Sequence, residues 1–202
     1  QPATDEFTDN TVGLQWQWNG NFKPHWLEVS KGQLILKAMS KVPDTGNNLW
    51  MTPNLMLQKL PAQTFQVRSK LRVPTAQADI ETGLLLFGED YAWLGIKTIN
   101  NAPHLVYVQC RGARTGCNES VHDYGEVNHG SIEIRYILAS DATAVFAYRF
   151  SENEAFTVAG EQFKARRGRW VGAKTGVFAV GESGASARYD YVRFLPMHRE
   201  GL

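Results

Sequence analysis

Acid–base and nucleophilic chemistry at a single bond calls for two carboxylates at a set separation, on the order of 5–10 Å. The twenty acidic residues of this 202-residue chain make that the first pattern to look for. A Glu-x-Asp-x-x-Glu strand, which would align alternate carboxylates on one face, does not occur. Asp79-Ile80-Glu81 and Glu89-Asp90 come nearest, and both read as turn or rim residues. The five histidines form no pair at metal spacing on a common strand, and there is no Gly-x-Ser-x-Gly elbow or phosphate loop. What remains is the chemistry of contact. In Gly13-Leu14-Gln15-Trp16-Gln17-Trp18-Asn19 the alternation of a strand sends Leu14, Trp16 and Trp18 one way and Gln15, Gln17 and Asn19 the other. Flat aromatic surface edged by amides suits a pyranose, which has a C–H face and a ring of hydroxyls. The competing reading buries the two tryptophans in a core.

A second candidate platform lies in Glu89 to Lys97. With Ala92, Leu94 and Ile96 facing a core, Tyr91, Trp93 and Lys97 turn to the opposite face and Gly95 leaves a gap. Glu89 and Asp90 then join Gln15, Gln17 and Asn19 as an expected polar edge, provided the strands adjoin. The alternative is that a loop or a partner domain covers Tyr91 and Trp93. The irregular stretch Val42 to Leu60 reads as a strand interrupted by loop, from which Trp50 reaches the rim of a cleft. Cys110 and Cys117 bracket a hairpin-like tip. They close a local disulfide if the strands bring their Cα atoms to roughly 5.5 Å, and otherwise stay as free thiols.

These residues must be positioned by strands. Period-two patterning marks Gln33–Lys37, Phe65–Val73, Gly83–Phe87, Trp93–Thr98, Leu105–Gln109, Ile132–Leu138, Thr143–Phe150, Gly176–Val180 and Tyr189–Phe194. Eighteen glycines and eight prolines punctuate them, which points to an all-β, two-sheet antiparallel sandwich of jelly-roll type, with little helix. No internal repeat or linker-like tract divides the chain, so residues 1–202 are expected to form one domain. With 43% hydrophobic and 11% aromatic residues it can remove roughly 70% of its unfolded surface from water. A formal net charge of +1 supplies no field for nucleic acid. The basic run Lys164 to Arg169 lacks interleaved aromatics and reads as a solvated loop. No apolar run is long enough for a spanning helix, so membrane insertion is not expected.

Read together, Gly13–Asn19, Gly88-Glu89-Asp90-Tyr91-Ala92-Trp93-Leu94-Gly95, Gly168 to Ala179 and Tyr189-Asp190-Tyr191-Val192-Arg193-Phe194 resemble the C-terminal concanavalin-A-like sandwich of glycoside hydrolase family 43. They recur in the order of that module and cover nearly the whole chain. The resemblance implies a non-catalytic accessory module of a xylan- or arabinan-degrading enzyme, packed on a catalytic β-propeller of the same polypeptide and in contact with xylan- or arabinan-type saccharide. It also places the turn from Gly168 to Gly176 towards the propeller, making Arg169, Trp170 and Lys174 docking candidates; where some members carry phenylalanine after Gly-Ala, this chain has Lys174. No organic cofactor is expected. Carbohydrate-binding sandwiches often hold a structural Ca²⁺ between the first and last strands, and Asp5, Glu6 and Asp190 offer oxygen ligands for one, although Asp190 could instead pair with Arg188 or Arg193. A disulfide would place the protein outside the reducing cytoplasm, secreted, periplasmic or at the cell surface. The start at Gln1 fits a removed leader or a domain cut from a longer chain. Two alternatives stay open: a free-standing lectin-like protein, and a sandwich-fold glycosidase in its own right.

Overall fold

Fourteen strands form two antiparallel sheets of seven in the computed structural model, which describes residues 3–42, 47–75, 79–166 and 172–197. The first sheet runs β1 (Gln17–Trp18), β4 (Met56–Lys59), β13 (Lys174–Gly181), β6 (Ile80–Phe87), β7 (Tyr91–Ile99), β8 (Ala102–Cys110), β9 (Ser120–Glu126). The second runs β12 (Thr157–Lys164), β11 (Thr143–Arg149), β10 (Ser131–Leu138), β5 (Phe65–Arg72), β14 (Ser186–Pro196), β3 (Gln33–Lys37), β2 (Leu27–Ser30). Two short 3₁₀ turns, Pro24–Trp26 and Ala113–Thr115, are the helical elements among the described residues.

Alternation builds the core between the sheets. Leu84, Leu86, Ala92, Leu94 and Ile96 of β6 and β7 meet Leu71, Ile132, Ile134, Tyr136 and Phe146 of the second sheet, all buried. The Tyr189 hydroxyl crosses between the layers to donate to the Phe178 carbonyl at 3.0 Å, and burial holds it well above the ordinary tyrosine range.

The first sheet is apolar on its outer face too. Leu57, Leu85, Trp93, Val106, Val108 and Phe178 form a second buried cluster there, which is why β6 and β7 read as almost unbroken apolar runs rather than clean alternation. The cover comes from the same chain: Leu49 and Leu55 on one side, Ala113 and the Cys110–Cys117 loop on the other. Gly95 is not a gap in a platform. It faces Gly83 across the ladder, and a Cβ on either would strike the backbone of the facing strand.

The expected strand at the N-terminus shrinks to Gln17–Trp18. A turn from Gly13 to Trp16 precedes it, and Trp16 swings inward to stack on Phe7 at 6.5 Å.

Candidate functional site

Four sites follow from the sequence, and the structure treats each differently. At the β6–β7 turn the Asp90 carboxylate is buried. It accepts the Gly112 N–H at 2.8 Å and lies 3.3 Å from Arg166 Nη1 and 3.8 Å from Arg111 Nη1. Glu89 meets Arg114 at 3.4 Å and Arg166 at 3.8 Å, and its carbonyl takes the Ala113 N–H. Both acids therefore anchor the 111–117 loop rather than edge a sugar site. Cys110 and Cys117 close that loop as a disulfide, with Cα atoms 6.0 Å apart.

Tyr91 and Trp93 point to the outer face as alternation requires, but both are fully buried, which corrects the reading of them as an open platform. The Tyr91 hydroxyl donates to Glu119 Oε1 at 2.6 Å and accepts the Leu49 N–H at 2.9 Å. Burial, reinforced by the Glu119 carboxylate, pushes that hydroxyl far above its usual range. Trp93 meets Phe178 edge to face at 5.1 Å. Trp50, half-buried, stacks on Phe87, which stacks on Tyr91; it is part of the cover rather than the rim of a cleft.

The N-terminal candidates are dispersed. Trp16 is buried and donates its indole N–H to Asp5 at 2.8 Å. Trp18 packs against Phe22 and Trp26 at 5.1 and 5.5 Å. Asn19 donates to the carbonyls of Trp50 and Thr52, both at 2.9 Å, and so holds the cover. Gln15 and Gln17 border a shallow hollow with Leu14, Gln58 and Leu60. Four strand steps separate β1 from β7, roughly 19 Å at about 4.8 Å per step, so these amides and Glu89–Asp90 do not form one edge.

The expected metal ligands do not converge. Asp5 is engaged by Trp16 and by the Phe7 N–H, Glu6 forms a two-pronged pair with Arg193, and Asp190 binds Gln33 and Arg72. Among the described residues no group of three acidic, histidine or cysteine side chains is placed to hold an ion. Of the docking candidates, Arg169 and Trp170 lie outside the described residues. Lys174 opens β13 opposite Lys59, and burial together with the Lys59 ammonium lowers its amine below the ordinary lysine range.

Two arrangements were not read from the sequence. In the first, Lys41 bridges Glu81 and Glu119, at 2.7 Å to each, and Lys97 closes on Glu81 at 2.9 Å. Burial raises the Glu81 carboxyl, but the two ammoniums draw it down further and the net lies below its ordinary value of 4.5. A general acid needs the opposite shift, and Glu81 is instead held ionised by its two lysines. The second arrangement is the mouth between the sheets on the side where β9 and β12 form the edges. Tyr107, Gln109, His122 and Tyr124 line one lip, and Val158 and Glu161 the other. Its signal in the sequence was the alternation of His122 and Tyr124 inside an otherwise polar stretch.

Fold and sites together define a two-sheet sandwich of concanavalin-A type whose aromatic outer face is sealed by its own loops. Residues 4–195 match the family model of the β-xylosidase C-terminal concanavalin-A-like domain, and the chain belongs to that family, the sandwich module of glycoside hydrolase family 43 enzymes. Among relatives, a β-xylosidase of Formosa agariphila is 25% identical over 202 residues, covering 88% of this chain and 32% of its own length. Among solved structures, the xylan β-1,4-xylosidase of Bacillus halodurans C-125 superposes with a TM-score of 0.77 at 17% identity, over 97% of this chain and 39% of that one. A bifunctional GH43-CE protein of Bacteroides eggerthii gives 0.80 at 19% identity, over 95% and 25%. The chain thus spans about a third of the length of the curated relatives it matches.

Proposed function

We propose that this chain is a non-catalytic accessory module of a xylan- or arabinan-degrading glycoside hydrolase, that it packs on a catalytic propeller, and that it touches saccharide in a secondary role. The observation that carries the proposal is the match of nearly the whole sandwich to a domain that occupies about a third of β-xylosidase relatives. In support, the carboxylates nearest to a catalytic pattern are spent on arginines and lysines: Glu89 and Asp90 on Arg111, Arg114 and Arg166, and Glu81 on Lys41 and Lys97. The end of the sandwich bearing Lys174 is the docking surface in this reading. It also exposes Leu195 and Met197 at the close of β14, giving apolar contact beside charge. The Cys110–Cys117 disulfide favours a secreted, periplasmic or cell-surface location.

The test is hydrolysis. The chain alone, incubated with an aryl β-xyloside and an aryl α-arabinofuranoside, is expected to release the aryl group at the buffer rate. Turnover well above buffer that is abolished by Glu81→Gln would overturn the accessory reading and favour a sandwich-fold glycosidase.

A further inference from the structure

We propose that the mouth between β9 and β12 is a binding subsite for a short neutral oligosaccharide, at a place distinct from the sealed aromatic face. Only the choice of a xylan-type sugar rests on the accessory-module reading; the site itself rests on geometry. The mouth encloses about 430 Å³, within the size range of small-ligand clefts, roughly 300–1,000 Å³. Tyr124 is 37% and Val158 61% exposed, so apolar surface is presented to solvent at both lips. From His122 the rings of Tyr124, Tyr148 and Phe150 follow one another at centroid distances of 4.6, 6.1 and 5.5 Å. Of these rings His122 and Tyr124 line the cleft itself and offer it aromatic surface, while Phe150 is stacked against His129 at 4.1 Å.

Gln109, Ser120 and Glu161 add polar groups to the lining, and Arg111 stands behind Gln109. Arg111 Nη2 donates to the side-chain Oε1 of Gln109 at 3.4 Å, and Gln109 Nε2 donates to Glu161 Oε1 at 2.5 Å. This chain orients the three groups and leaves the second Gln109 N–H, the second Glu161 oxygen and further guanidinium donors for a ligand. The Ser120 hydroxyl and the His122 ring have no hydrogen-bond partner among the described residues. Glu161 is the lone carboxylate lining the cleft, which disfavours an anionic ligand. The lips are also fixed in advance. Gly160, at φ +71°, lies so close over the Tyr107 ring that a Cβ would collide with it. Its N–H donates to the Tyr124 hydroxyl at 2.5 Å, and the Tyr107 hydroxyl reaches the Glu161 carbonyl at 3.3 Å. A cleft held in shape without ligand loses less entropy on binding.

The experiment is a calorimetric and NMR titration of the chain with xylohexaose and with cellohexaose to millimolar concentration. Binding is expected, with amide shifts at His122, Tyr124, Val158 and Glu161 and none at Trp50. Affinity should fall about tenfold in His122→Ala, the scale of a truncated ring contact, and likewise in Val158→Asp. Because Val158 is exposed, the second variant keeps the test valid if the first is poorly folded. Cellohexaose binding at these residues without xylohexaose binding would support the subsite and remove the xylan-type assignment. Absence of heat with both sugars, shifts centred elsewhere, or affinity unchanged by both variants would overturn the subsite. That result would leave the non-catalytic accessory reading standing, since the hydrolysis assay tests that reading separately.

Discussion

Trp93 separates packing from binding more sharply than any other side chain in the molecule. Its ring is fully buried beneath residues 49–55 and against Phe178, so Trp93→Ala is expected to lower unfolding free energy by about 3–5 kcal/mol through lost apolar contact and a residual cavity. Urea denaturation reads that loss. Glycan affinity measured below the unfolding transition should not change, whereas a Trp93 exposed as a platform would give the reverse pattern. Alternation was sufficient to place Ala92, Leu94 and Ile96 inward and Tyr91 and Trp93 outward. It could not supply the cover, because the groups that hold the cover are distant in the sequence: Asn19 on the Trp50 and Thr52 carbonyls, the Tyr91 hydroxyl on the Leu49 N–H. An outward-facing aromatic on a strand is therefore ambiguous until the loops are placed.

Among the elements, the longer strands with buried positions were legible, and the short or solvent-facing ones were not. β3 has the bounds that patterning gives it, and β5, β6, β7, β8, β10, β11, β13 and β14 agree within a few residues. β9 and β12 escaped because nearly every residue of β9 and most of β12 is solvent-facing, leaving no apolar alternation to detect. β2 and β4 are four residues each, too short for a period to register. The loop after β8 offers its own prediction. The disulfide closes a ring across a sequence separation of 7, for which chain entropy gives about 2–3 kcal/mol. The Cys110→Ala, Cys117→Ala double variant should lose about that much in a denaturant melt. Reductant should destabilise the wild-type chain to the level of the variant and leave the variant itself unmoved. Equal stability of the two proteins under oxidising conditions would mean that the loop is held by Asp90 and its arginines alone.

For the molecule as a whole, the Lys41–Glu81–Glu119–Lys97 network sets a pH window for stability. The Glu81 carboxyl lies below 4.5 in the folded state, so its contribution is present above 4.5 and is lost as pH falls through the lowered value. Lys41 shifts the other way: burial lowers its amine, but Glu81 and Glu119 raise it further, to a net value above 10.5. Its share is complete below 10.5 and disappears as pH rises through the raised value. Glu81→Gln should therefore be less stable than wild type by about 1.5–3 kcal/mol at neutral pH, the scale of hydrogen bonds to charged groups. The gap should narrow as pH falls below 4.5. A gap that stays constant across the acid range would assign the loss to packing instead.

The order of strands also sets a timetable for synthesis. β13 lies between β4 and β6, and β14 between β5 and β3, so the two strands of the sandwich that are synthesised after its other twelve fill inner slots in both sheets. Until the stretch from Lys174 onward has emerged, β3, β4, β5 and β6 each carry an unsatisfied ladder flank, the kind of edge that recruits another nascent chain. Pairings this remote in sequence also form slowly. Truncated translation products that stop short of Lys174 should accordingly be sticky and dependent on chaperones.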